Sequence, residues 1–286
     1  MQPATFDYHR PSSLEEALSM LGSIDGARPL AGGHSLLPLM KQRLAAPPAL
    51  VDLGALPGLR GVAEDDGDLV IGALTTHADV ASSDLVWAKC PVLAEAASKI
   101  GDPQVRNRGT IGGSVAHADP AADYPTVLMA LGATVVATGP NGQRTITAPA
   151  CFTDMFTTSL EPGELVTAVR VPVLGDGTGA SYVKHRHPAS SYAVVGVAAI
   201  VGMEGGTCGD VRIAVGGVTA TPVRATAAEQ ALTGQAPDPD TIAAAAALVA
   251  DAITDPIGDL YASGEYRVHL ATVLAKRAIG NAVTRA

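Results

Sequence analysis

The 286-residue chain is long enough for two or three compact units, and 47% of its residues are hydrophobic while only 3% are aromatic. Its formal net charge of −9 argues against nucleic acid or an anionic membrane surface as the main partner, since both require clustered Lys and Arg. No apolar run approaches the roughly 18 residues of a membrane span, and the first residues do not resemble a secretion leader, so we expect no membrane span and a cytoplasmic location.

The first part of the chain, residues 1–57, is predicted to form a small β-α-β unit. Serine N-caps and early acidic residues predict a helix over residues 14–21. The apolar stretch before residue 31 is predicted to be a strand, followed by a short helix at residues 36–44 and a buried strand at residues 49–53.

Residues 58–175 show the pattern of a second subdomain. Strand-like runs flank an acidic turn, helical segments follow, and a Pro-Asn-Gly turn joins two further strands. The predicted strands are residues 59–63, 68–71, 134–138 and 144–147, and the predicted helices are residues 76–82, 91–100 and 120–131.

A glycine-rich break at residues 172–179 predicts a domain boundary, with one domain at residues 1–175 and the other at residues 176–286. The second domain is predicted to be a three-stranded antiparallel sheet covered by Ala-rich helices, which gives an α+β class for the chain. Its predicted strands are residues 180–187, 192–203 and 211–216, and its predicted helices are residues 225–232, 241–253 and 265–283.

Three cysteines, Cys90, Cys151 and Cys208, are widely separated and form no Cys-x-x-Cys pair. This spacing argues against a disulfide framework, a zinc site and an iron–sulfur cluster on this chain. His185 and His187 have a spacing that could ligate a metal, but no third ligand of suitable type is nearby, so we expect no metal site.

Two glycine-centred segments, about eighty residues apart, carry the clearest sign of a ligand. Either one alone could be a plain turn. Together they could clamp a pyrophosphate, because glycine lets successive amides converge into an anion-binding nest and lets a ligand approach the backbone. The first segment comprises Ala31, Gly32, Gly33, His34, Ser35 and Leu36, and the second comprises Thr110, Ile111, Gly112, Gly113 and Ser114.

No G-x-G-x-x-G follows a strand and no G-x-x-x-x-G-K-[ST] occurs, which argues against a Rossmann or P-loop nucleotide site. The remaining motifs resemble, in order and spacing, the FAD-binding medium subunits of molybdenum hydroxylases, a family that includes carbon monoxide dehydrogenase and xanthine dehydrogenase. The resemblance runs nearly end to end. The stretches that carry it are residues 6–17, 31–41, 71–77, 104–114, 119–123 and 164–172.

The resemblance implies a two-part FAD-binding domain of the vanillyl-alcohol-oxidase (PCMH) type over residues 1–175, followed by a C-terminal domain of the medium-subunit type. It also implies that the backbone amides of both glycine segments, with the Ser35 and Ser114 hydroxyls, hold the FAD pyrophosphate. Ser114 stands where many relatives carry asparagine. Asp123 matches a carboxylate on the adenosine side of the cofactor, although Asp119 and Asp123 could instead cap the following helix.

Further residues match positions near the flavin in the family. Thr76 and His77 match a stretch that approaches the flavin or its phosphates, with a helix-entry hydrogen bond as the alternative for His77. Ile100 and Val166 would pack on the isoalloxazine ring, and Lys184 would hydrogen-bond its pyrimidine edge.

Tyr192 resembles a tyrosine that lies against the ring in carbon monoxide dehydrogenase medium subunits, although a tyrosine that opens a strand could simply belong to the core. The sequence indicates no catalytic residue of its own, which suits a protein whose cofactor carries the redox chemistry.

The resemblance implies an electron-transfer subunit of a heteromeric oxidoreductase. Substrate would be oxidised at molybdenum on a large chain, and electrons would pass through two 2Fe–2S clusters on a small chain to FAD here, then to an external acceptor. A dimer of heterotrimers is expected, and residues 31–41 and 119–123 favour the carbon monoxide dehydrogenase branch. Two alternatives remain: a self-contained flavin oxidase or dehydrogenase, and a non-catalytic nucleotide-binding assembly module.

Overall fold

This computed structural model describes residues 2–286, which contain three larger sheets and one two-stranded sheet. The first unit contains β1 (Asp7–His9), α1 (Leu14–Ser23), β2 (Arg28–Leu30), α2 (Leu36–Lys41) and β3 (Ala49–Asp52). Its strands are parallel in the order β1-β3-β2, so β2, α2 and β3 form the predicted β-α-β unit. Ser13 caps α1 by accepting a hydrogen bond from the Glu16 amide, as the sequence indicates.

The middle of the chain adds a five-stranded antiparallel sheet and most of the helices. Its elements are β4 (Val62–Asp65), β5 (Asp68–Gly72), α3 (His77–Ser82), α4 (Asp84–Lys89), α5 (Pro91–Ser98), α6 (Pro103–Arg106), α7 (Ile111–His117), α8 (Asp123–Leu131), β6 (Thr134–Gly139), β7 (Gly142–Thr147), α9 (Ala148–Cys151), β8 (Phe152–Asp154), β9 (Thr157–Thr158) and β10 (Leu165–Pro172). The sheet order is β4-β5-β10-β6-β7, and β6 and β7 form the predicted hairpin.

The last part of the chain is a sheet covered by helices. Its elements are β11 (Thr178–Arg186), β12 (Ala193–Glu204), β13 (Thr207–Gly216), β14 (Val223–Arg224), α10 (Thr226–Leu232), α11 (Pro239–Ala247), a 3₁₀ turn (Leu248–Ala252) and α12 (Gly264–Arg285). The sheet has four strands in the order β11-β12-β13-β14, so the predicted number of three is wrong. The extra strand is only two residues long and pairs with Ala214 and Val215, which is too short to leave a periodic signal.

The largest apolar core joins α8 to the C-terminal sheet. Tyr124 of α8 and Tyr182 of β11 are both fully buried in it. At the far end of α8, Arg212 donates a hydrogen bond to the Leu131 carbonyl at 3.0 Å. This packing holds the N-terminal end of α8 against β11, where the candidate site lies. No helix within residues 2–286 is long and apolar enough to cross a membrane.

Candidate functional site

The first glycine segment is an open loop between β2 and α2. Gly33 has a φ of +73°, a left-handed conformation that side chains rarely adopt. Among residues 2–286, no acceptor is bound by the backbone amides of residues 32–36. His34 turns back on the loop, with Nδ1 3.0 Å from the Gly32 carbonyl oxygen. Five consecutive free amides therefore remain for a ligand.

The sequence indicates that the second glycine segment is a loop. In the structure it is instead the first turn of α7. Thr110 is the N-cap and accepts a hydrogen bond from the Gly113 amide at 3.2 Å. The amides of Ile111, Gly112 and Ser114 bind the carbonyls of Thr75, Ala73 and Thr110 at 3.1, 2.9 and 3.0 Å. Each of these amides already has a partner within the chain, and the contact of this segment with a phosphate stays a prediction.

The first glycine segment lies in direct backbone contact with residues 108–109, which immediately precede the second segment. A Cβ on Gly32 would collide with the carbonyl oxygen of Arg108, and a Cβ on Gly113 would lie 3.8 Å from the Cβ of Ala31. A Cβ on Gly112 would lie 2.8 Å from the backbone of Ala73. Glycine is required at positions 32 and 112 because the backbones approach so closely there.

Thr76 and His77 lie beside the second segment. Thr76 forms a capping box with Asp79: its hydroxyl accepts the Asp79 amide at 3.1 Å, and the Asp79 carboxylate accepts the Thr76 amide at 3.3 Å. The Thr76 side chain thus serves the start of α3. The His77 amide binds the Gly109 carbonyl at 2.9 Å, and Thr76 forms a β-bridge with Thr110. These contacts join α3 to the second glycine segment.

Two buried polar atoms in this region lack a hydrogen-bond partner among the described residues, the His77 Nδ1 and the Tyr124 hydroxyl. The two rings are 5.3 Å apart. Burial is the main cause that lowers the pKa of His77 to about 4, and the nearby charges of His34 and Arg106 contribute to the same decrease, so His77 is neutral at pH 7.

Asp123 and Lys184 form a buried ion pair. The Lys184 Nζ lies 2.8 Å from Oδ1 and 3.0 Å from Oδ2 of Asp123, and each side chain is only 4% exposed. The Tyr182 hydroxyl donates to Asp123 Oδ1 at 2.6 Å. Burial raises the pKa of Asp123 and lowers the pKa of Lys184, while their attraction acts against both changes.

This pairing bears on two expected roles. The resemblance implies that Asp123 binds the adenosine side of the cofactor and that Lys184 binds the pyrimidine edge of the flavin. The structure brings the two side chains into direct contact, and both roles stay predictions. The alternative in which Asp123 only caps α8 is incomplete, because both of its oxygens bind Tyr182 or Lys184.

Tyr192 lies at the edge of the first glycine loop and is 42% exposed, so it is not a core residue. Burial of its ring raises the pKa of its hydroxyl, and the Ser35 side chain next to it acts in the opposite direction. Ile100 follows α5 and packs against the large core, in which Val166 of β10 is buried. The structure therefore places an aromatic ring beside the free amides of residues 32–36.

Sequence reasoning missed Tyr182 and the polar network beside it. Lys99 donates to the Tyr182 carbonyl and to Glu95, and Glu95 accepts from the Tyr182 amide at 3.1 Å and from Arg285 at 2.9 Å. A signal for Tyr182 was present, because positions 182 and 184 of a strand project from the same face. The network joins α5, β11 and the end of α12.

His185 and His187 pack on Tyr261, with ring centroids 6.3 and 4.6 Å from the tyrosine ring. Within residues 2–286, no group of three metal-ligating side chains is assembled. All three cysteines are buried free thiols. The candidate site therefore comprises the free amides of residues 32–36, the Ser35 and Ser114 hydroxyls and the Tyr192 ring, which suit an anionic ligand with a ring system.

Two family models match the chain. Residues 4–174 match the FAD binding domain in molybdopterin dehydrogenase, and residues 180–282 match the CO dehydrogenase flavoprotein C-terminal domain.

Similar proteins span the whole chain. The carbon monoxide dehydrogenase medium chain of Afipia carboxidovorans is 43% identical, with 100% of this chain and 99% of that protein covered. The glyceraldehyde dehydrogenase medium chain of Sulfolobus acidocaldarius is 40% identical, with 97% and 98% covered. A chain of carbon monoxide dehydrogenase from Hydrogenophaga pseudoflava, in a form lacking the Mo-pyranopterin moiety, superposes with a TM-score of 0.96 at 44% identity, covering 100% of this chain and 99% of that chain.

Proposed function

The chain belongs to the family of FAD-binding medium subunits of molybdenum hydroxylases, and from that premise we propose which residues hold FAD and in which complex the chain works. It is the FAD-binding oxidoreductase subunit of a heteromeric molybdenum hydroxylase similar to carbon monoxide dehydrogenase. When bound, FAD accepts electrons that arrive from iron–sulfur clusters on a partner chain and passes them to an external acceptor.

The first glycine loop carries this proposal. Its five free amides, at residues 32–36, form a donor set suited to the negatively charged pyrophosphate of FAD. Gly33 gives the loop its left-handed turn, and the Ser35 hydroxyl adds a further donor. These amides are partly exposed and have no partner among the described residues, so they are available to an anion.

The second glycine segment contributes differently in this proposal. Its amides are used within the chain and Ile111 and Gly112 are buried, so only Gly113 and Ser114 are open to the cofactor. Thr110 orders this segment as the N-cap of α7. Ser114 offers the free hydroxyl of the segment, where asparagine would reach further.

The flavin ring would be held by residues around the candidate site. Tyr192 provides an aromatic face beside the first loop, and Ile100 and Val166 provide apolar surface. Thr76 and His77 support the second segment through their backbones. Asp123 and Lys184 act as a pair on the same side of the candidate site rather than as separate ligands of its two ends.

We further propose a PCMH-type FAD-binding domain at residues 1–175, with subdomains at about residues 1–57 and 58–175, and a second domain at residues 176–286. The two family models end and begin close to this boundary, which supports the division. The parallel first sheet and the antiparallel second sheet support the two subdomains.

The proposed partners are an iron–sulfur small subunit and a molybdenum large subunit, assembled as a dimer of heterotrimers in the cytoplasm. The medium-chain names of the relatives support the heteromeric assembly, and three buried free thiols suit a reducing compartment. Medium chains named for carbon monoxide and for glyceraldehyde are 43% and 40% identical to this chain. We therefore infer that the large subunit, and not this chain, determines which substrate the complex oxidises.

Purification of the protein from its native cells, with an affinity tag on this chain, tests the proposal. We expect one FAD per chain by absorbance and mass spectrometry, together with two companion chains that contain molybdenum and iron. FAD on a lone chain that oxidises a substrate would instead support a self-contained flavoenzyme. A complex without flavin would support an assembly module.

A further inference from the structure

The turn that carries Tyr192 has an unusual conformation. Residues 187–192 connect β11 to β12, and the turn is closed by hydrogen bonds from the His187 amide to the Tyr192 carbonyl at 2.8 Å and from the Ser191 amide to the His187 carbonyl at 2.9 Å. Ser191 has a φ of +62°, although it is not glycine. A left-handed serine persists only where surrounding contacts hold it.

The Lys184 side chain provides such a contact. Its Nζ donates to the Ser191 carbonyl at 2.8 Å and also binds both oxygens of Asp123. Two of the three donors of the ammonium group are used by the Ser191 carbonyl and by Asp123 Oδ2. The Lys184 Nζ therefore bridges the turn and Asp123.

Asp123 is itself firmly placed. It is the first residue of α8, is 3% exposed, and accepts a hydrogen bond from the buried Tyr182 hydroxyl. A hydrogen bond also links the end of the turn to the segment before α8: the Ala193 amide donates to the Ala121 carbonyl at 3.2 Å. The rigid core thus holds Lys184, and Lys184 holds the turn.

We propose that Lys184 is a positioning residue: its buried ammonium clamps the Ser191 carbonyl to Asp123 and so holds Tyr192 beside the first glycine loop. A buried charge pair is costly to form, so its retention at this place is explained by the geometry that it imposes on the turn. The effect on FAD rests on the proposed function, whereas the clamp itself does not.

Hydrogen exchange followed by mass spectrometry, on the full-length protein without added cofactor, tests the clamp. The variant Lys184→Met keeps the length of the side chain and removes its donors. We expect exchange at residues 187–193 to become about tenfold faster, while β12 beyond residue 195 and β13 keep their protection. Lys184→Arg should restore most of the protection, and Lys276→Met, at an exposed position of α12, should change nothing.

Because Lys184→Met leaves Asp123 buried without a cation, the double variant Asp123→Asn with Lys184→Met is the second test. It removes both charges and should show the same faster exchange in a folded protein. Unchanged exchange at residues 187–193 in a folded variant overturns the clamp.

The FAD dissociation constant of the same variants, from flavin fluorescence, tests the consequence for the cofactor. We expect Lys184→Met to weaken FAD binding about tenfold and Lys184→Arg to recover it. Faster exchange with unchanged FAD affinity would overturn the positioning role. If the unmodified protein in its complex binds no FAD, the proposed function fails while the exchange result still decides the clamp.

Discussion

Gly32 and Arg108 are in direct backbone contact, and this contact joins the free amides of the first glycine loop to the segment before α7. The two residues are 76 positions apart in the sequence, so the contact exists only in the folded chain. A side chain at position 32 would separate the two segments.

Replacing Gly32 with alanine should therefore damage the cofactor site. The new Cβ would collide with the Arg108 carbonyl oxygen, which belongs to the backbone and cannot move alone. We expect FAD affinity to fall at least about tenfold and the unfolding free energy to fall by about 1–3 kcal/mol. Flavin fluorescence and urea unfolding measure the two effects.

Gly175→Ala is the matched control, because Gly175 has open space around its Cα and no left-handed φ. Its unfolding free energy should stay within about 0.5 kcal/mol of the unmodified protein. Equal FAD affinities for Gly32→Ala and Gly175→Ala would contradict the role of the loop contact.

Two glycines within helices should respond to alanine in opposite directions. A Cβ at Gly112 in α7 would press on Ala73, whereas a Cβ at Gly280 in α12 meets nothing within 4 Å. Alanine favours helix over glycine by about 1 kcal/mol, so Gly280→Ala should stabilise the protein by about that amount. Gly112→Ala should destabilise it by about 1–3 kcal/mol in urea unfolding. A stabilising Gly112→Ala would show that the close packing there is not restrictive.

Tyr192 should contribute to FAD binding through its ring. If the ring stacks on the flavin, Tyr192→Ala should weaken binding by about 1–2 kcal/mol, roughly 5- to 30-fold, while Tyr192→Phe should retain most of the affinity. Tyr266→Ala is the control, because Tyr266 on α12 is similarly exposed at 45% and should leave the dissociation constant unchanged. Identical constants for both alanine variants would place Tyr192 outside the cofactor site.

Local sequence signals were sufficient for most elements. The Ser13 cap, the helix start at Thr76 and the Pro140-Asn141-Gly142 turn each depend on residues within four positions, and each appears in the structure where the pattern indicates. The helix predicted at residues 241–253 is α11 followed by a 3₁₀ turn. The alanine and valine residues there give no sequence pattern that would predict the change from α-helix to 3₁₀ helix.

The second glycine segment shows why the candidate site could not be fully predicted from the sequence. Two adjacent glycines favour a loop on local grounds, but Thr110 caps the segment and the carbonyls of Ala73 and Thr75 bind its first amides. Those carbonyls arrive from a distant part of the chain. The Asp123 to Lys184 pair likewise spans 61 positions and depends on the packing of α8 against β11.

The buried His77 should make stability depend on pH. Its pKa is about 4 in the folded protein, lowered first by burial, whereas a histidine in an unfolded chain titrates near 6.5. Between these values the unfolded state binds more protons, so stability falls as the pH falls from about 6.5 to about 4. The loss attributable to His77 should reach about 3 kcal/mol.

Urea unfolding of the unmodified protein and of His77→Gln at several pH values isolates this contribution, because carboxylate titrations are common to both proteins. The difference in unfolding free energy between the two should shrink or reverse as the pH is lowered from 7 to 4. His269→Gln, at an exposed position of α12, should follow the unmodified protein throughout. If the unfolding free energies of His77→Gln and of the unmodified protein changed in parallel with pH, the prediction would be contradicted. His77 would then bind its proton as readily in the folded state as in the unfolded state, although its ring is buried.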